Sequence, residues 1–205
     1  VVPAIEAIVI GGSAGALDAL AQILPALPAA FAIPIALVLH VHPTKPSHLA
    51  RVLSVRCALP VKEAEDKELM APATVYLAPP NYHLLLEQRR VFSLSVDDPV
   101  LFSRPAIDVL FESAADAFGP ALAAVLLSGG SEDGARGLAQ IQRNGGLTVV
   151  QAPSTAAVQT MPNAAIRLSP VSHVLPLAQI GPFLASLALA RPAASAAGEG
   201  PWPRT

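Results

Sequence analysis

The stretch Ile5-Glu6-Ala7-Ile8-Val9-Ile10-Gly11-Gly12-Ser13-Ala14-Gly15 decides the fold. Residues 5–10 form a short run with β-branched side chains that ends at two glycines, the pattern of a buried strand. A helical pattern follows over residues 14–24, with Leu17, Leu20, Ile23 and Leu24 on one face, until Pro25 and Pro28 stop it.

The same alternation continues outward from this unit. Residues 33–41 read as a second buried strand, and Ser47 as the N-cap of a helix running to about residue 55. Short strands are expected at 61–63 and 74–78. A hairpin is expected from 82–87 and 91–95, with Gln88, Arg89 and Arg90 between its strands. The pair Arg89-Arg90 reads as a solvated turn. A helix from Pro105 to residue 118 buries Ile107, Leu110, Phe111 and Ala114, and residues 121–128 form another strand. A helix over 133–142 ends at Gly145-Gly146, before a strand at 147–151 and helices at 161–168 and 180–189. Buried strands alternating with amphipathic helices imply a parallel sheet covered on both faces. Residues 1–190 read as one domain. The tail, residues 191–205, is rich in Ala, Pro and Gly and is expected to be disordered.

Composition narrows the class further. The chain has 205 residues, of which 53% are hydrophobic and 14% charged, enough for a sizeable core. No apolar run approaches the roughly 18 residues of a membrane span, and the start lacks the basic flank of a secretory signal. A cytoplasmic location is expected, without insertion into a membrane. The net charge of -2 offers no general attraction for nucleic acid. The single cysteine, Cys57, precludes an intramolecular disulfide and reads as a buried inert thiol.

Gly11-Gly12-Ser13-Ala14-Gly15 matches G-x-S-x-G between a strand and a helix, where a sharp turn exposes the serine hydroxyl. A small-residue turn or a phosphate-binding turn fits the same five residues. A dinucleotide site, however, needs an acidic residue at the end of the second strand to bind ribose. Here that strand ends in Leu39-His40-Val41-His42. A histidine there suits a base for the serine on the neighbouring strand. Asp133 follows the strand over 121–128 after a glycine-rich turn that can bring it back toward the imidazole. Ser, His and Asp together ionise a hydroxyl near neutral pH. On chemistry alone His42 is as good a base as His40, Glu132 competes with Asp133, and Asp133 also reads as a helix N-cap. His48, His83 and His173 read as surface or satisfied histidines. No metal or other cofactor is expected, because no carboxylate or thiol stands beside His40 and His42 to complete a set.

Taken together, GGSAG (11–15), LHVHPTKPSHLA (39–50), VKEAEDKELMAPATVYLAPPNYHLLLE (61–87), SRPAIDVLFESAA (103–115), LLSGGSEDGARGL (126–138) and GGLTVVQAPSTAAVQTMPNAAI (145–166) resemble the catalytic domain of chemotaxis protein-glutamate methylesterases, the CheB family. The similarity runs from about residue 5 to about residue 187. It implies a doubly wound, mostly parallel sheet with helices on both faces and an antiparallel hairpin. It implies hydrolysis of glutamyl γ-methyl esters on the cytoplasmic helices of methylated chemoreceptors, and deamidation of certain receptor glutamines. The family's nucleophile falls on Ser13, its histidine on His40 and its aspartate on Asp133. The backbone N–H of Ala14 is an oxyanion candidate, and Arg104 a candidate for the substrate side of the cleft.

Three departures from the family pattern stand out. Leu39 and His42 replace a common glutamine and proline around the histidine. Gly130 falls where a methionine commonly shapes the oxyanion site. The sequence also begins only a few residues before its first strand, so a form without the family's receiver domain is expected, with a separate protein as regulator. The rival reading is a weakly active or non-catalytic signalling module that binds a receptor or another protein through the same cleft.

Overall fold

A computed structural model describes residues 4–40 and 48–189. Its first strand, β1 (Ala7–Gly12), is buried along its whole length. Successive side chains go to opposite faces of the sheet, as strand geometry requires. Ala7 and Val9 join one half of the core, and Ile8 and Ile10 the other.

The remaining elements follow as α1 (Ala16–Ile23), β2 (Ile35–Leu39), α2 (Leu49–Ser54), β3 (Val61–Glu63), β4 (Val75–Leu77), β5 (His83–Glu87), β6 (Val91–Ser95), α3 (Ile107–Phe118), β7 (Leu122–Leu126), α4 (Ala135–Arg143), β8 (Leu147–Gln151), α5 (Thr160–Leu168), β9 (His173–Leu175) and α6 (Leu177–Leu189). Seven strands form one sheet in the order β3-β4-β2-β1-β7-β8-β9, parallel throughout. β5 and β6 form a separate antiparallel hairpin. Helices α3, α4 and α5 pack with that hairpin on one face of the sheet. Helices α1, α2 and α6 cover the other. The doubly wound arrangement and its hairpin agree with the expectation from sequence. The strand order reverses between β1 and β7, which makes a crevice at their carboxyl ends.

Some details differ from the sequence reading. β9 has only three residues, bounded by Pro170 and Pro176, too few to show a period. α6 starts at Leu177 and continues through Pro182, held by the burial of Ile180, Gly181 and Leu184. Arg90 is not a solvated turn residue. It pairs with Glu6 and lies 5.6 Å from the centroid of the Phe118 ring, with little of its side chain exposed. Cys57 is half-buried, and desolvation pushes its thiol up from the usual range, which disfavours the reactive thiolate. The Ser47 cap and the tail beyond residue 190 lie outside the described residues.

Candidate active site

The central strands β2, β1 and β7 lie side by side, and each delivers one candidate to the carboxyl edge of the sheet. Gly12 is in register with Leu39, so the residues that leave the sheet next are Ser13 and His40. The His40 N–H donates to the Gly12 carbonyl at 3.2 Å, and the Ser13 N–H donates to the Ser128 carbonyl at 2.9 Å. These bonds fix the backbone of both residues about one strand spacing apart, roughly 4.8 Å.

Asp133 reaches the same edge from beyond β7. Its carboxylate is 0% exposed, and Oδ2 lies 2.7 Å from His40 Nε2. Oδ2 also accepts the Ile107 N–H at 2.7 Å, and Oδ1 accepts the Asp108 N–H at 2.9 Å. Those two amides belong to the first turn of α3, where helical geometry leaves N–H groups without partners. Asp133 is thus a helix cap, but for α3 and not for α4, which follows it in sequence. A buried acceptor on Nε2 assigns the imidazole proton to that nitrogen. Nδ1 is then the nitrogen with a free lone pair, the one able to take a proton from serine.

The serine turn is shaped by its small residues. A Cβ on Gly11 would lie 2.2 Å from Ile107 Cγ2, so glycine lets the start of α3 close over the end of β1. Gly15 has φ +81, the left-handed region where a Cβ is strained. Ser128 holds the turn from below. Its hydroxyl is 1% exposed, donates to the Ala14 carbonyl at 2.7 Å and accepts the Val158 N–H at 2.9 Å. Met161 completes the wall: a Cβ on Gly129 would lie 2.5 Å from the Met161 methyl, 2.6 Å from its sulfur and 3.1 Å from Ser13 Cβ, so glycine lets Met161 close in beside the serine. The sequence reading did not identify Ser128 or Met161. The clue available for Ser128 was a lone hydroxyl ending an otherwise apolar strand.

The other candidates separate. Among the described residues, neither the Ser13 hydroxyl nor the N–H groups of Ala14 and Gly130 have a hydrogen-bond partner, so these three remain available to a substrate. The structure therefore brings His40 and Asp133 into contact and sets Ser13 beside His40 in register, without a Ser13–His40 bond. Arg104 is engaged elsewhere. Its guanidinium donates to Asn81 Oδ1 and to the Val96 and Asp97 carbonyls, bracing the loops ahead of α3. Glu132 is exposed and Asp133 buried, which separates those two competitors. His83 is a buried structural histidine between the Ala106 N–H and the Asp98 carbonyl. His48 precedes α2, and the His173 ring packs at a tilt against Phe183. His42 lies outside the described residues.

Comparison with known proteins agrees with the fold. The family model described as CheB methylesterase matches residues 8–184. A Leptospira interrogans protein named for protein-glutamate methylesterase and protein-glutamine glutaminase activity is 49% identical over 175 residues, covering 85% of this chain and 91% of its own length. Protein-glutamate methylesterase FrzG of Myxococcus xanthus is 40% identical, over 89% of this chain but only 54% of its own. The crystal structure of the Thermotoga maritima CheB methylesterase catalytic domain superposes with a TM-score of 0.86 at 35% identity, covering 89% of this chain and 98% of that one. With a family model matched over residues 8–184 and the sheet and hairpin of the solved catalytic domain, the chain belongs to the CheB methylesterase family.

Proposed function

We propose that this chain is a serine hydrolase that cleaves glutamyl γ-methyl esters on the cytoplasmic helices of chemoreceptors, with Ser13, His40 and Asp133 as its triad. The observation that carries the reading is the buried 2.7 Å bond from Asp133 to a histidine that leaves the sheet beside Ser13. The names of the relatives supply the ester and amide chemistry.

The steps follow from the residues. Ser13 Oγ attacks the ester carbonyl carbon as His40 Nδ1 takes its proton. The carbonyl oxygen becomes an oxyanion, for which the N–H groups of Ala14 and Gly130 are the donors at hand. The imidazolium formed is stabilised by the Asp133 carboxylate. His40 then protonates the leaving methoxide oxygen, and methanol departs. In the second half, His40 takes a proton from water, the hydroxide attacks the acyl-enzyme, and the Ser13 oxygen leaves with that proton. The product is a glutamate carboxylic acid, which ionises. A glutamine side chain gives the same acyl-enzyme with ammonia as the leaving molecule. Substrates of this kind lie in the cytoplasm, where we assign the protein. No helix among the described residues is long and apolar enough to cross a membrane.

The test combines methanol release from a methylated chemoreceptor with labelling by a fluorophosphonate probe. Ser13→Ala should lose the label and lower the rate by roughly 10⁴-fold or more. Folding should be preserved, since the hydroxyl has no partner to lose among the described residues. Methanol release at near wild-type rate from Ser13→Ala would overturn the assignment.

A further inference from the structure

Between β6 and α3, Val100 and Ser103 exchange two backbone hydrogen bonds, of 3.1 and 2.9 Å. They close a tight turn with Leu101 and Phe102 at its tip. Both tip residues have positive φ, 47 and 65. Such turns favour glycine and asparagine, and bulky side chains there are strained. Neither residue is compensated by burial: Leu101 is 46% exposed and Phe102 102%. A strained turn that holds an aromatic ring fully in water has no explanation in the stability of the fold. Strain of this kind, maintained by the surrounding structure, is characteristic of binding sites.

Behind the turn lies a groove of about 450 Å³, lined by Leu101, Ala164, Leu168, Glu132, Arg136 and Arg167. It adjoins the candidate triad from two sides. Glu132 immediately precedes Asp133. Ala164 lies three residues along α5 from Met161, about 4.5 Å of helix rise, and Met161 packs against the Gly129 wall of the serine. Arg167 has no partner among the described residues. Arg136 donates its Nε to Asp108 yet remains 63% exposed. Arg136, already paired with Asp108, and Arg167 edge the groove beside Glu132, and Arg167 is the cation there without a partner among the described residues.

We propose that the Leu101–Phe102 turn and this groove dock the acidic helix of the substrate protein that carries the ester. Phe102 enters an apolar seam of that helix, and Arg136 and Arg167 face carboxylates flanking the modified glutamate. The proposal rests on the esterase reading, because an ester borne on a folded protein brings its own helix across the flank of the site. Charge complementarity selects the occupant: the unpartnered Arg167 and the exposed guanidinium of Arg136, beside an apolar anchor, fit a glutamate-rich amphipathic helix.

The experiment measures binding of a methylated chemoreceptor cytoplasmic fragment to the Ser13→Ala protein, which cannot turn it over. Adding Phe102→Ala, or separately Arg167→Glu, should raise Kd about tenfold or more. Added salt should weaken the parent interaction, and Arg167→Glu should reduce that salt dependence. In the catalytic background, Phe102→Ala should raise KM for the fragment while leaving hydrolysis of p-nitrophenyl acetate unchanged. An unchanged Kd in both variants overturns the docking surface. So does an equal loss on the small ester, which would mean the turn acts through the triad, or a dimer of the chain that Phe102→Ala dissociates. Fluorophosphonate labelling of the wild type reports separately on the esterase reading. If labelling fails while the Kd values still shift, the hydrolase reading falls and the docking surface stands.

Discussion

His40 and Asp133 lie 93 residues apart in sequence and share a 2.7 Å hydrogen bond from Nε2 to Oδ2. The same carboxylate closes the first turn of α3 through the Ile107 and Asp108 amides. One buried group therefore orients the proposed base and caps a helix, and its replacement should damage both. In Asp133→Asn the amide nitrogen must point at a donor whichever way the side chain is turned. It meets either His40 Nε2 with the Ile107 N–H, or the Asp108 N–H. The expected result is a loss of about 10²–10⁴-fold in kcat, from the wrong tautomer or a displaced ring. A stability loss of about 1–3 kcal/mol should accompany it, from a buried donor left facing a donor. Methanol release and urea denaturation measure the two effects. A normal denaturation midpoint with a normal rate would contradict the dual role.

Ser128 touches no reacting atom, yet it holds the turn that presents Ser13. Its carbonyl fixes the Ser13 N–H, and its hydroxyl links the Ala14 carbonyl to the Val158 N–H. Ser128→Ala keeps the first bond and removes the other two. The Ala14–Gly15 peptide then loses its anchor. The expected outcome is a fall in kcat of about tenfold or more, as for a misplaced reacting group, with KM for the receptor little changed. A variant whose KM alone rises would show that Ser128 serves binding and not the placement of the serine.

Much of this site was legible in the sequence because its strands are buried on both faces. All residues of β1, β2 and β7 are buried, so each reads as an apolar run, and the residue that ends each run marks the sheet edge. The placement of Ser13 and His40 at adjacent strand ends was read in this way, with the G-x-S-x-G motif singling out the serine. The bond from Asp133 to the start of α3 was not, because it joins segments 25 and 26 residues apart that share no local pattern. Ser128 was hidden for a related reason: its partners Ala14 and Val158 come from two distant turns. Arg90 was misread because an adjacent pair of arginines contains no trace of Glu6, 84 residues away.

Asp108 gives the fold a pH dependence of unusual sign. Burial raises its carboxyl above the ordinary range, and the like charge of Asp133 adds to the shift. The Gly137 N–H and Arg136 oppose it without cancelling it. A carboxyl raised in the folded state holds its proton more tightly there than in the unfolded chain. Its contribution to stability is therefore fully present below the ordinary aspartate value, about 3.9, and is lost as pH rises through the raised folded value. Asp108→Asn removes this titration. The difference in stability, wild type minus variant, should decline as pH rises from about 4 toward neutrality. Thermal denaturation of both proteins across that range measures it, and a difference that grows with pH would contradict the direction assigned to Asp108.

Gly130 offers the clearest test of how the cleft is shaped. The resemblance leads one to expect a methionine at this position, and the structure has room for it. Among the described residues a Cβ on Gly130 would meet only Val158 Cγ1, at 4.0 Å, and the glycine is not among those with positive φ. Gly130→Met should therefore fold without strain. Restricting the unfolded chain by removing a glycine is expected to raise stability by about 0.4–1 kcal/mol. The N–H of residue 130 keeps its place, so its availability to an oxyanion is unchanged. What the side chain adds is apolar surface beside the serine turn, next to the methyl group of a bound ester. Each methylene buried against the substrate contributes about 0.8 kcal/mol, about a fourfold fall in KM. Steady-state methanol release should accordingly give a lower KM at similar kcat, and calorimetry an unchanged or higher Tm. A higher KM at the same Tm would mean that the open space at Gly130 is itself occupied by substrate, and that this cleft takes a bulkier group than the methionine-bearing members of the family.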